Sequence, residues 1–219
     1  MQAFIDGEPF FFRSFDDKQQ LMQHNRHLII FVKNPILGKA KTRLAASIGK
    51  EKALEIYLQL LDLTRKAAVT ADCSRHVFYS DEIENDAWDA DKFNKHVQEG
   101  DSLGERMKNA FSQVFALGAK ELIIIGSDCP QLSTEIIEDS FDILDKKDAC
   151  IGPAKDGGYY LLGMKFLHSF LFEEKGWSTD SVFSDTTKDL TENNLSYGLL
   201  PQLSDVDTVD DLYLLEGKQ

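Results

Sequence analysis

The chain has 219 residues, of which 42% are hydrophobic and 11% aromatic, enough for one domain with a sizeable core. Its net charge of -13 excludes nucleic acid as the main partner, because affinity for a polyanion rests on many Lys and Arg contacts. Three cysteines with no close pair fit neither a disulfide framework nor a Cys-x-x-Cys metal site. No apolar run approaches a membrane span, and the acidic start lacks the pattern of a signal peptide, so a reduced, cytoplasmic protein is expected.

In chain order, residues 1–26 read as an appendage. Asp6-Gly7 between Ala3-Phe-Ile5 and Phe10-Phe-Phe12 suggests a hairpin, with Pro9 restricting its strand to a sheet edge. That aromatic surface packs on this subunit or on another, which admits a homodimer. From 27 to 219 the pattern is that of one further domain. Strands are predicted at 28–33, 76–80, near 95–98, 121–126, 148–152, 158–164 and 196–200. Helices are predicted at about 50–70, 103–117, 133–146, 179–193 and 208–216. Leu103, Met107, Ala110, Phe111, Val114 and Leu117 recur at three- and four-residue steps, which lines one helix face. Leu122-Ile-Ile-Ile125 is a short apolar block suited to a central strand covered on both sides. Such alternation implies an α/β fold, a mainly parallel sheet with helices on both faces, whose ligands bind at the carboxyl ends of the strands.

Several segments at those ends carry candidate chemistry. Lys18 to Lys50 contains seven basic residues and no acid, against the charge of the whole chain. Its densest part, Lys33-Asn-Pro-Ile-Leu-Gly38-Lys-Ala-Lys41-Thr-Arg43, follows an apolar strand and suits an anionic oxygen cluster, although a solvated basic turn would read the same. Asp128, in Gly126-Ser-Asp-Cys-Pro130, ends the central strand and suits a hard cation that bridges to phosphate, or else caps a turn. Asp205 or Asp207 would supply a second carboxylate, while Thr208 and Asp211 match a capping box. Asp156-Gly157-Gly158-Tyr159 permits close backbone approach to an acceptor, with Asp156 binding it or acting as base, and also fits a plain hairpin. Gln98, Gly104 and Arg106 lie in a loop able to read a nucleobase edge, or in an ordinary strand-to-helix loop capped by Ser102 and Glu105. Trp177 and Ser178 read as pocket wall, with Ser178 or Thr179 as a helix cap. The five histidines match no catalytic motif and read as structural or surface residues.

Taken in order, Phe31-Val-Lys-Asn-Pro35, Gly38-x-x-Lys-Thr-Arg-Leu44, Gly126-Ser-Asp-Cys-Pro130, Gly152-Pro-Ala-x-Asp-Gly-Gly-Tyr-Tyr-Leu-Leu-Gly163, Trp177-Ser-Thr179 and Asp205-Val-Asp-Thr208 resemble the DUF2064 glycosyltransferase-like family of the nucleotide-diphospho-sugar transferase superfamily. The resemblance covers residues 28 to about 216. It implies a GT-A fold and a nucleotide-dependent transferase assisted by Mg²⁺ or Mn²⁺, acting on a nucleotide or nucleotide-sugar donor and a small-molecule acceptor. Glycosyl transfer is the favoured activity. Nucleotidyl transfer with pyrophosphate release and non-catalytic nucleotide binding are the alternatives. By the same resemblance Arg43 contacts phosphate and Asp128 and Asp207 hold metal; Asp128 and Arg43, joined by Asp156 from the reading of its own segment, are the expected catalytic set. Two departures stand out: Lys39-Ala-Lys-Thr-Arg43 replaces the Gly-x-Gly-Thr-Arg of many nucleotidyltransferases, and Ser127-Asp128-Cys129 replaces the glycosyltransferase Asp-x-Asp.

Overall fold

The run His27 to Val32 is buried almost without interruption, as a strand covered on both faces must be. In the computed structural model, which describes residues 3–5, 8–10 and 25–217, this run is an interior strand of a seven-stranded sheet, next to the central one. Two short strands precede it, β1 (Ala3–Ile5) and β2 (Glu8–Phe10), paired antiparallel with Phe4 opposite Pro9. The expected Asp6-Gly7 turn lies outside the described residues.

The main sheet contains β3 (Arg26–Val32), β4 (Ser74–Tyr79), β5 (Asn94–Val97), β6 (Glu121–Ile125), β7 (Ala149–Pro153), β8 (Tyr159–Met164) and β9 (Tyr197–Leu199). Their order is β5-β4-β3-β6-β8-β7-β9. Every neighbouring pair is parallel except those made by β8, which runs antiparallel to both β6 and β7. The hairpin reading of residues 152–160 is therefore correct, and the register shifts at Gly152 and Pro153 where the chain turns toward the site.

Helices cover both faces. On one side α2 (Lys50–Val69) and α4 (Thr134–Leu144) bury Ala67, Ala68, Ile137, Phe141 and Leu144 against Leu28, Ile30 and Ile123. On the other, α3 (Leu103–Ala116) and α5 (Val182–Glu192) bury Met107, Phe111, Val114 and Leu190 against Ile29, Phe78 and Ile124. Fully burying one such aliphatic or aromatic side chain contributes about 1.5–3 kcal/mol, so these two layers are the main source of stability. The capping box of Ser102 with Glu105 starts α3, as the sequence indicates.

Three boundaries depart from the sequence reading. A seven-residue helix, α1 (Thr42–Ile48), follows the basic loop directly and ends at Gly49. The segment predicted as a helix at 208–216 is a 3-10 helix, Val209–Leu215, whose capping box of Thr208 and Asp211 is nevertheless formed. The helix predicted from 179 starts at Val182. Neither Ser178 nor Thr179 caps it: Thr179 Oγ1 donates to the Gly176 carbonyl, and the helix follows Ser181 without a side-chain cap.

Beneath α3, three adjacent strands each present a histidine. His27 and His76 stack with ring centroids 5.2 Å apart, and His76 and His96 with centroids 5.3 Å apart. Gln113 Nε2 lies 3.1 Å from His96 Nδ1, His96 Nε2 3.1 Å from His76 Nδ1, and His76 Nε2 3.0 Å from His27 Nδ1. With the Gln113 amide as donor, His96 and His76 each accept on Nδ1 and donate from Nε2, and His27 accepts on Nδ1, so the rings form a one-way chain. Burial holds His76 well below the ordinary imidazole value, at about 3, and the neighbouring rings His27 and His96 lower it further. Among the described residues no helix is long and apolar enough to cross a membrane.

Candidate active site

The site begins where β3 ends. The Lys33 backbone N–H donates to the Tyr57 hydroxyl (2.8 Å), and that hydroxyl donates back to the Lys33 carbonyl (2.9 Å). Tyr57, on the buried face of α2, also lies 3.4 Å from Ser127 Oγ, so one phenol ties the first loop to the turn after β6. Buried Asn34 fastens the same loop laterally, donating to the Glu82 carbonyl (2.8 Å) and accepting from the Asp81 N–H (3.0 Å). The loop then closes with Lys41 in the left-handed region (φ 50°), immediately before α1.

Lys41 is the electrostatic centre of the arrangement. Its side chain is only 5% exposed, and its ammonium contacts Asp128 Oδ2 at 3.0 Å and donates to the Val206 carbonyl at 2.6 Å. The Val206 N–H in turn donates to the Asp128 carbonyl (2.9 Å). Beside this knot the exposed Arg43 pairs with Asp207 (2.5 Å). The basic loop and the carboxylates expected to face it thus meet at one sheet edge, already neutralising each other in part.

Asp205 is the exception. Burial, followed by the charges of Asp128 and Asp156, pushes its carboxyl up to about 7; Lys41 acts against that shift, and Asp207 adds to it. Surplus negative charge in a partly buried pocket, carried by carboxylate oxygens, is chemistry that fits a hard divalent cation. Among the described residues no three His, Cys, Asp or Glu side chains converge as a metal cage. The fit is therefore to a cation held by one or two carboxylates, completed by water and a ligand's phosphate, as is common for Mg²⁺.

The far wall comes from the β7–β8 turn and from residues 176–182. Asp156 Oδ1 accepts the Gly158 N–H (2.9 Å), which leaves its second oxygen free of protein donors among the described residues. Gly157 has φ +90°, and a Cβ there would sit 2.1 Å from the Asp180 carbonyl oxygen, so only glycine lets the two segments touch. Gly104 has a comparable role in the first turn of α3: a Cβ would lie 2.4 Å from Trp177 Nε1 and 2.7 Å from the Phe172 carbonyl. Trp177 is therefore packed directly against a helix backbone.

These segments enclose a cavity of about 620 Å³. Of the residues singled out from sequence, Lys33, Lys41, Arg43, Asp128, Asp156, Gly158, Tyr159, Trp177, Ser178, Asp205 and Asp207 line it. Gly38, Gln98, Gly104, Arg106 and Gly157 do not. The Gln98 amide donates to the carbonyls of Val32 (3.1 Å) and Phe78 (2.9 Å), bracing β3 against β4 instead of facing a base, and Arg106 Nε donates to the Gly100 carbonyl (2.9 Å). The Tyr159 hydroxyl is buried without a hydrogen-bond partner among the described residues, so what it offers a ligand is ring surface. Sequence reasoning missed Tyr57, Phe31, Met107 and Asp180, all on the wall. Met107 is legible only as part of an apolar helix face, Asp180 only as a helix start, and Tyr57 lies in a predicted helix with no motif around it.

No protein of curated function matches the chain. Among solved structures it is similar to a protein of Desulfovibrio desulfuricans G20 provisionally named a nucleotide-diphospho-sugar transferase, at 30% identity and TM-score 0.79, with 89% of each chain covered. It shares its fold with Rv0371c of Mycobacterium tuberculosis H37Rv in complex with manganese (14% identity, 88% of this chain and 99% of that one, TM-score 0.52). The same holds for the inositol-1-phosphate CTP transferase of T. maritima (12% identity, 89% and 98%, TM-score 0.54). Residues 63–179, more than half of the chain, match the family described as "Uncharacterized protein conserved in bacteria" (DUF2064), and the chain belongs to that family.

Proposed function

We propose that the chain is a nucleotide-dependent, divalent-metal-assisted transferase that moves a sugar from a nucleotide-diphospho-sugar to an acceptor. One observation carries this reading: Lys33, Lys41 and Arg43 share a single cavity with Asp128, Asp205 and Asp207, although the two groups lie far apart in the chain. The 30% identity to the D. desulfuricans protein supports it. Arg43 and Lys33, both exposed at the cavity, hold the donor phosphates, with Lys41 contributing from beneath. Asp128, with Asp207 or Asp205, holds Mg²⁺ or Mn²⁺, which when bound neutralises charge on the leaving phosphate. Asp156 faces the acceptor. Fixed cations aimed at the phosphate act where negative charge grows in the transition state, which is where electrostatic stabilisation counts most.

The test is to incubate the protein with sugar nucleotides or with nucleoside triphosphates, Mn²⁺ and a panel of acceptors, and to identify what is released. Nucleoside diphosphate is the expected product. Pyrophosphate from a triphosphate would replace this reading with nucleotidyl transfer, and nucleotide binding without either product would make the chain a non-catalytic binder.

A further inference from the structure

The cavity wall is strongly polarised along the sequence. Its basic side chains, Lys33, Lys41 and Arg43, all come from the first loop and the start of α1, whereas from residue 124 onward it carries Asp128, Asp156, Asp180, Asp205 and Asp207 and no Lys, Arg or His. Two of those acids are matched, Asp128 by Lys41 and Asp207 by Arg43. Among the described residues Asp156 and Asp180 have no ion-pair partner, and both are exposed. The nearest bases in sequence do not help: Lys155 is not on the wall, and Lys175 is buried against Asp189. Trp177 shares this acidic end and is held there by its contact with Gly104.

We propose that the acceptor is an uncharged, hydroxyl-bearing ring compound, a sugar or similar polyol, bound between Trp177 and the Asp156–Asp180 pair, and that anionic acceptors are rejected. This rests on the transferase reading above and specifies its second substrate. Carboxylate oxygens are strong acceptors for O–H donors, and a large flat ring offers apolar area to the C–H face of a sugar. A phosphate or carboxylate placed there would meet only like charge, with no base on that wall to offset it. An amine is disfavoured for a different reason. The acidic wall would keep it as the ammonium ion, which has no lone pair with which to attack, whereas an alcohol is nucleophilic while still protonated. In the transfer, the acceptor oxygen bonds to the donor's sugar carbon as that carbon's bond to the phosphate oxygen breaks. The bonding pair leaves with the nucleoside diphosphate, and the hydroxyl proton passes to a wall carboxylate, for which the free oxygen of Asp156 is placed.

Tryptophan fluorescence tests this without turnover, since Trp88 is buried at 3% exposure and Trp177 lines the cavity. The full chain is titrated with methyl glucoside and with glucose 6-phosphate, using Trp177→Phe as the blank. The neutral sugar should shift the Trp177 signal, and the phosphorylated one should bind at least about tenfold more weakly. That handicap should shrink in the Asp156→Asn, Asp180→Asn double variant. Equal or tighter binding of glucose 6-phosphate, or no response to either sugar, overturns the proposal. Calorimetry with UDP, GDP, CDP and ADP in Mg²⁺ on the same samples reports separately on the nucleotide site, so failure of the transferase reading and failure of the acceptor assignment remain distinct.

Discussion

Acidification should destabilise this protein through the histidine chain beneath α3, by an amount that a single substitution isolates. In the folded state His76 is held near 3, against 6.5 for the free side chain. The unfolded chain therefore binds a proton below about pH 6.5 that the folded chain refuses, so stability is present above that value and is lost as the pH falls toward 3. Burial is the main cause, followed by the neighbouring rings His27 and His96, and the donor pattern agrees with it: a second N–H on His76 would point at the N–H that His96 donates. At 1.36 kcal/mol per pH unit, the loss between about pH 6.5 and about pH 5 approaches 2 kcal/mol, a large part of the 5–15 kcal/mol of a typical domain. Two carboxyls act in the opposite sense. Glu121 and Asp205 are both raised to about 7, chiefly by burial, so they take up protons in the folded state first and favour it as the pH falls toward their unfolded values. The raw pH profile is therefore a compromise, and the informative quantity is a difference. His76→Gln retains one donor and one acceptor but does not titrate. Urea unfolding followed by circular dichroism should find the stability gap between wild type and His76→Gln moving by about 2 kcal/mol, in favour of the variant, between about pH 7 and about pH 5. A gap that stays constant with pH would refute the reasoning.

Two further substitutions probe the site. Gly104→Ala must push Trp177 away from α3, so its fluorescence should shift to the red, and the overpacking should cost about 1–3 kcal/mol in a urea titration; unchanged emission would mean that the contact does not hold the indole in place. Asp128→Asn should keep the native circular dichroism spectrum while removing Mn²⁺-dependent nucleotide binding, and calorimetry showing unaltered affinity and unaltered metal dependence would remove Asp128 from the site. Because Asp128 is also the partner of buried Lys41, that variant should melt earlier, by an amount moderated by the 45% exposure of the carboxylate.

What was legible in the sequence is what short-range pattern determines. The uninterrupted apolar run before Lys33, the three- and four-residue spacing from Leu103 to Val114, and the capping boxes at Ser102 and Thr208 all correspond to observed elements, because each is set by neighbours within one or two turns. The basic loop and the distant acids were placed at one sheet edge by the α/β rule and the family resemblance together. What stayed hidden depends on which groups meet across the fold. Gln98 looks free to read a base until its amide is seen between Val32 and Phe78. Tyr57 is one more residue of a predicted helix until its hydroxyl proves to be shared with Lys33 and Ser127. Short α1 escaped notice because Thr42 to Ile48 follows directly on the basic loop with its Pro35 and Gly38 and spans barely two turns.

The backbone of Val206 joins the first loop to the turn after β6, accepting from Lys41 through its carbonyl and donating to Asp128 through its N–H. Lys41 precedes that residue by 165 positions. The strands that form the bulk of the sheet leave the ribosome well before the latch that completes the pocket. A nascent or prematurely terminated chain ending ahead of Asp205 has its layers available to pack, yet Lys41 retains a buried charge with one partner missing. The cavity wall is thus complete only once the chain has reached Asp207, however early its sheet can form.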